Sequence, residues 1–219
     1  MLGIHSRTDF DKDQGSPPER LALELRPETV TKSILRLFVP MRYLRIVHPE
    51  KFVYDLLFPI LSVVLGLSLY NLLPIKPALL GESGLLKDFK DVLTLLIAFF
   101  VAALAAVATF QRKGLDEVMK GSTPPTLSVK LHDRTWLQPL TRREFLCYLF
   151  GYLSSMSLIL FLLIVSVKVF APSIQLWVDA NTYIVLKNVF ISIFSAAGGH
   201  LLVSTLLALY YLTDRINRD

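Results

Sequence analysis

The sequence predicts an all-α membrane protein of four transmembrane helices with a small cytoplasmic α/β platform. Three observations lead there. Four apolar runs, Leu56–Leu73, Val92–Phe110, Phe145–Val167 and Ile184–Leu212, are each about long enough to span a bilayer. Lys and Arg gather in alternate connections between the runs. Residues 20–51 and 111–143 carry patterning too rich for plain connectors. A hydrocarbon layer roughly 30 Å thick needs about 20 helical residues, and within it every backbone polar group must be satisfied internally, so the spans are expected to be helices.

Of the 219 residues, 53% are hydrophobic, which suits one membrane bundle rather than several domains. The division expected is a flexible tail at 1–19, a strand and juxtamembrane amphipathic helices at 20–51, spans one and two in 52–110, a strand-bearing loop at 111–143, spans three and four in 144–212, and a tail at 213–219. Residues 1–20 are polar, with Asp9, Asp11, Lys12, Asp13, Pro17, Pro18 and Glu19, so no cleavable signal peptide is expected and the first span does its own targeting.

Charge sets the orientation. Nine Lys and Arg lie in residues 1–51, seven in 111–144 and two after Leu212, whereas the other side holds only Lys76, Lys87, Lys90, Lys168 and Lys187. Retained basic segments mark the cytoplasmic side, which puts both termini in the cytoplasm. Tyr54, Tyr148, Tyr210 and Tyr211 fall near the inner surface, and Trp177 and Tyr183 near the outer one. The net charge of +5 is read as this topological bias, not as direct nucleic-acid binding.

Taken in order, Leu21, Leu23 and Leu25 alternate as a strand. Lys32, Arg36, Arg42 and Arg45 then stand among apolar residues broken by Pro40, as in two short helices lying on anionic lipid, and Pro49 suits the start of the first span. The outer connections, Pro74–Asp91 and Phe170–Thr182, are too short for a domain. In the long inner loop, Leu127, Val129 and Leu131 share one side of a second strand, Thr126–His132. It could pair with Leu21–Arg26, but two strands alone are marginal in water, so a further strand must come from another subunit or a soluble partner. Leu127, Val129, Lys130, Leu131 and Arg134 are the candidate docking residues, with Arg112, Lys113 and Lys120 adding positive charge. Trp136 is expected against the membrane surface or under the sheet, and Thr141–Glu144 reads as a capping box for the third span. The fourth run, about 43 Å long at 1.5 Å per residue, must tilt or protrude.

Small residues recur on every span: Ser62 and Gly66; Ala98, Ala102 and Ala106; Gly151, Ser154 and Ser155; and Ser192, Ser195, Ala196 and Gly199. Such stripes let helices approach closely, within one subunit or in a homo-oligomer. His200, near the middle of the fourth span, is a candidate gate, and its quieter reading is a neutral imidazole bonded to Ser154, Ser155 or a carbonyl.

No cofactor or metal is expected. The single cysteine, Cys147, excludes an intrachain disulfide or a Cys-rich zinc site, and haem would need a second histidine at bilayer depth. No nucleophile turn, zinc motif or P-loop is present, and Ser195 or Ser204 near His200 does not by itself make a hydrolase, so a non-enzymatic protein is expected. Asp55 at the inner end of the first span leaves no deeper carboxylate for coupled transport.

The layout of four spans, inward tails and a modest inner platform resembles small membrane subunits of bacterial defence or stress-response systems, a likeness of topology and of no signature residue. It implies a sensor or scaffold of a bacterial inner membrane, for instance in antiviral defence, whose partners are membrane lipids, copies of itself and a soluble cytoplasmic protein. The alternative expectation is an oligomeric ion pore gated in part by His200.

Overall fold

The computed structural model describes residues 36–48, 51–82, 84–111, 113–119, 124–131 and 134–215. The chain divides into two units, Met1–Val39 and Pro40–Asp219. In the first, only Arg36 to Val39 are described, with Arg36 and Leu37 helical. The strand expected at Leu21–Arg26, together with Lys32, Pro49, Arg112 and Lys120, lies outside the described residues.

In the second unit four helical segments are long and apolar enough to cross a membrane: α1 (Phe58–Leu72) together with the turn ahead of it, as Val53–Leu72, then α2 (Leu85–Thr109), α3 (Arg142–Trp177) and α4 (Ala180–Tyr210). Helices α2, α3 and α4 begin ahead of the apolar runs that announce them. Lys87, Asp88, Lys90 and Asp91 fill the first turns of α2, where a hydropathy reading sees a loop. The expected loop Phe170–Thr182 is mostly helix, because α3 continues through Pro172 to Trp177 and α4 starts at Ala180. Proline removes the bond to its own i−4 carbonyl and crowds that carbonyl, which a long membrane helix absorbs by local adjustment. Asp179 then starts α4, its carboxylate accepting from the Asn181 and Thr182 amides.

The helices pack in the order α2, α3, α4, α1. Along α2 the buried residues Leu86, Leu93, Phe100 and Val107 recur every seventh position, and α3 answers with Leu146, Leu149, Leu153, Ser157, Leu160 and Ile164 at three- and four-residue steps. That is the 3.5-residue period of knobs-into-holes packing. α1 differs: only Tyr70 is buried along it, and its main partner is α4. The contact runs through small residues. A methyl group on Gly66 would collide with Ser195 Oγ, and one on Gly199 would stand 2.5 Å from Ser62 Cβ.

At one end of the bundle sits a three-stranded antiparallel sheet in the order β1 (Ile46–Val47), β2 (Thr126–Leu131), β3 (Arg134–Pro139). Leu127 faces Ile46 on one side and Gln138 on the other. The third strand therefore comes from the chain's own residues. The segment before α1 is a 3₁₀ turn, Val39–Arg45, ending in β1 and not the second surface helix expected there. The β-branched Ile46 and Val47 pair with Leu127 and Thr126, and that pairing takes precedence over continued helix. Tyr43, Ile46, Leu127, Leu140 and Phe145 form a buried core between sheet and helices.

Two devices fix this end. Thr141 and Glu144 form the expected capping box, each side chain accepting from the other's amide. Arg143 donates to the carbonyls of Val107 (2.8 Å), Ala108 (3.3 Å) and Phe110 (2.7 Å), which α2 leaves open at its C-terminus, and to Asp116 Oδ1 (2.6 Å) and Oδ2 (3.2 Å).

Candidate functional site

Between α1, α4 and the sheet lies a cluster of polar side chains, and its origin is a local feature of the backbone. Pro59 has no N–H to offer either Asp55 at i−4 or Tyr54 at i−5. The chain ahead of it, Val53–Leu57, opens into a π-helical turn in which the Phe58 amide reaches back to Val53. π turns recur where a helix must present a side chain out of regular register. Here the turn presents Asp55 toward α4.

Asp55 has two cationic or ionisable neighbours. Its Oδ2 is 3.3 Å from Lys51 Nζ, and its Oδ1 is 3.9 Å from His200 Nδ1 on α4. The Lys51 ammonium also donates to the carbonyls of Tyr43 (2.8 Å) and Ile46 (3.1 Å), which occupies its three donors and binds the cluster to β1. It lies 4.7 Å from the centroid of the Tyr43 ring, which stacks on Tyr152 of α3 at 4.9 Å. Tyr152 in turn meets the His200 ring edge-on at 5.6 Å. Ser204, fully buried on α4, lies beside Tyr43.

Burial lowers the Lys51 pKa, and the charge of Asp55 offsets part of that shift. Burial raises the Tyr43 pKa above its ordinary value, with Asp55 adding to the rise. The cluster is therefore short of partners on the His200 side. Although the Tyr54 backbone lies beside the imidazole, Asp55 Oδ1 and both His200 ring nitrogens are buried without a hydrogen bond. An unbonded buried polar group costs about 1–3 kcal/mol, so this corner of the structure is held by its surroundings and not by its own bonds.

The position of His200 differs from the expectation. It lies opposite Asp55 in the opening turn of the first span, toward the sheet end, and not at the middle of the bundle. The hydropathy run misses the first turn of α4, which begins at Ala180, so its midpoint is set too close to His200. Ser155 does not reach the imidazole either, since its hydroxyl donates to Gly151 of its own helix. Ser195 faces Gly66, which separates it from His200 chemistry.

The chain matches no protein-family model, and searches of curated proteins and solved structures found no match to it.

The remaining expected residues lie on other parts of the fold. Leu127 is 6% exposed and belongs to the core under the sheet, while Val129, Lys130, Leu131 and Arg134 take their places in the β2–β3 hairpin by register. Trp136 is 59% exposed on β3 and not packed under the sheet, and its neighbour Leu137 is 62% exposed. Arg36, Arg42 and Arg45 are exposed beside exposed Leu37, Phe38, Leu44 and Val47. Ser192 and Ala196 are half-buried on α4 beside the Ser195–Gly199 contact, and Ala98 and Ala102 of α2 stay exposed. Sequence reasoning missed Lys51 and Tyr43. The spacing Lys51 to Asp55, one helical turn, was the available signal.

Proposed function

We propose that this protein is a non-enzymatic, oligomeric, multi-pass protein of a bacterial inner membrane whose cytoplasmic sheet recruits or activates a soluble protein partner, as in a defence or stress-response system. The observation that carries the proposal is the outer side of β3, which has no neighbouring strand among the described residues and exposes Trp136 and Leu137 on opposite faces. A strand with both faces and one edge open is suited to strand addition, the partner supplying a fourth strand. The well-packed base under it, Tyr43, Leu127, Leu140 and Phe145, makes the edge a rigid template. Lys51 hydrogen-bonds the platform and ion-pairs with Asp55 of the π turn that leads into α1, so a shift of α1 against α4 would be felt at β1. The open flank of α1 and the exposed Ala98 and Ala102 stripe of α2 supply surfaces for further copies.

Affinity purification of the full chain from its native host in mild detergent tests this. A soluble protein recovered with the wild type and lost from the doubly substituted Trp136→Lys, Leu137→Asp chain supports it. Recovery of the chain alone under several growth conditions contradicts it.

The buried Asp55–His200 pair favours a second reading, an oligomeric pore whose conductance responds to protonation of His200. Ion flux from liposomes at two pH values decides between them: no conductance, or conductance unchanged by His200→Leu, rejects the pore.

A further inference from the structure

A cavity lies at the end of the bundle opposite the sheet. It measures about 580 Å³, within the range of small-molecule sites, and is walled by the last turns of α1, the connection that follows, and the facing ends of α3 and α4. Its walls are apolar, with Leu80, Val167, Phe170 and Phe190 among them. Two cations interrupt them. Lys76 of the connection and Lys187 of α4 converge on the ring of Tyr70, 5.9 Å and 5.1 Å from its centroid.

The wall that carries Lys76 is built, not draped. The carbonyls of Ala78 and Leu79 accept from the Leu85 and Leu86 amides, which α2 leaves unpaired at its start, and Gly81 turns the chain with φ of 104°. A side chain at Gly84 would run into the backbone of Leu79 and Leu80 at 2.7 Å. Among the described residues no carboxylate pairs with Lys76 or Lys187. Two like charges held at one ring repel each other, and an anion between them would relieve that repulsion.

We infer that this cavity binds an anionic lipid, one acyl chain lying along Val167, Phe170 and Phe190 and its phosphate between Lys76 and Lys187. The apolar volume supplies the affinity for the chain, and the lysine pair supplies the preference for negative headgroups. The inference stands apart from the docking role of the sheet, because it concerns the other end of the molecule and needs no partner.

Native mass spectrometry of the full chain in a neutral maltoside detergent, titrated with phosphatidylglycerol, phosphatidylcholine or oleate, tests it. Phosphatidylglycerol is expected to be retained over phosphatidylcholine, and each of Lys76→Gln and Lys187→Gln to weaken it about fivefold. Ala171→Phe, which fills the cavity, is expected to abolish retention, with thermal stability showing that the variant folds. Equal retention of the two phospholipids, retention of oleate alone, or binding indifferent to the lysines or to a folded Ala171→Phe chain overturns the inference. Should Ala171→Phe fail to fold, the two lysine variants decide alone.

Discussion

His200 Nδ1 lies 3.9 Å from Asp55 Oδ1, although the two residues belong to the first and last helices. The relationship exists because α1 docks on α4, and because Pro59 forces the π turn that presents Asp55. Lys51 closes the group from the sheet side, so the pairing joins both helices to β1.

Lys51→Met should cost about 2–3 kcal/mol, toward the low end for breaking a buried ion pair because Asp55 is 25% exposed. The loss is expected to be non-additive with Asp55→Asn, since the second change removes the charge that the first strands. Denaturant titration of the two single variants and the double variant in detergent measures the coupling.

The α1–α4 contact makes a differential prediction. Gly66→Ala meets Ser195 first at its hydroxyl, with Ser195 Cβ at 3.1 Å, so Ser195→Ala should restore part of the stability that Gly66→Ala removes. Gly199→Ala meets the Ser62 hydroxyl and also stands 2.5 Å from Ser62 Cβ, so Ser62→Ala should restore less stability than Ser62→Gly. Overpacking of this kind costs about 1–3 kcal/mol, readable as a fall in melting temperature.

Arg143 holds the end of α2 and Asp116 together, and its guanidinium keeps the Asp116 carboxyl below the usual carboxylate range. A depressed folded pKa means that the contribution is present above the unfolded value, about 3.9, and is lost as pH falls through the folded one. Acidification below about pH 4 should therefore weaken the 110–119 segment in the wild type. Arg143→Ala should make that segment protease-sensitive at neutral pH and remove this part of the acid dependence, as limited proteolysis across pH would show.

Tyr43 gives the opposite sign. Its folded pKa is raised by burial, so the stabilisation is complete below the unfolded value, about 10, and is lost as pH climbs above it toward the folded one. Tyr43→Phe keeps the stack on Tyr152 and should flatten the alkaline arm of a melting-temperature profile.

Much of this architecture was legible in the sequence, and the reasons are physical. Four helices follow from apolar length, and the capping box from Thr141 and Glu144 spaced at N-cap and N3. β2 showed itself by alternation. β3 did not, because Trp136, Leu137, Gln138 and Pro139 are all exposed and leave no period-two signature of a buried face. The polar cluster was hidden for another reason: Lys51, Asp55 and His200 meet only through the docking of α1 on α4, and hydropathy carries no record of which helix lies beside which. Ser62, Gly66, Ser195 and Gly199 were visible as stripes, and the structure shows that they face one another.

The proposed docking role requires a membrane-spanning bundle with its sheet in the cytoplasm. Cysteine accessibility in intact cells tests that most directly, using a Cys147→Ser background with Leu137→Cys on β3, 62% exposed, or Ile75→Cys in the opposite connection, 85% exposed. The account predicts that a membrane-impermeant maleimide labels the Ile75 position in intact cells and the Leu137 position only after permeabilisation. Labelling of the Leu137 position in intact cells would contradict it.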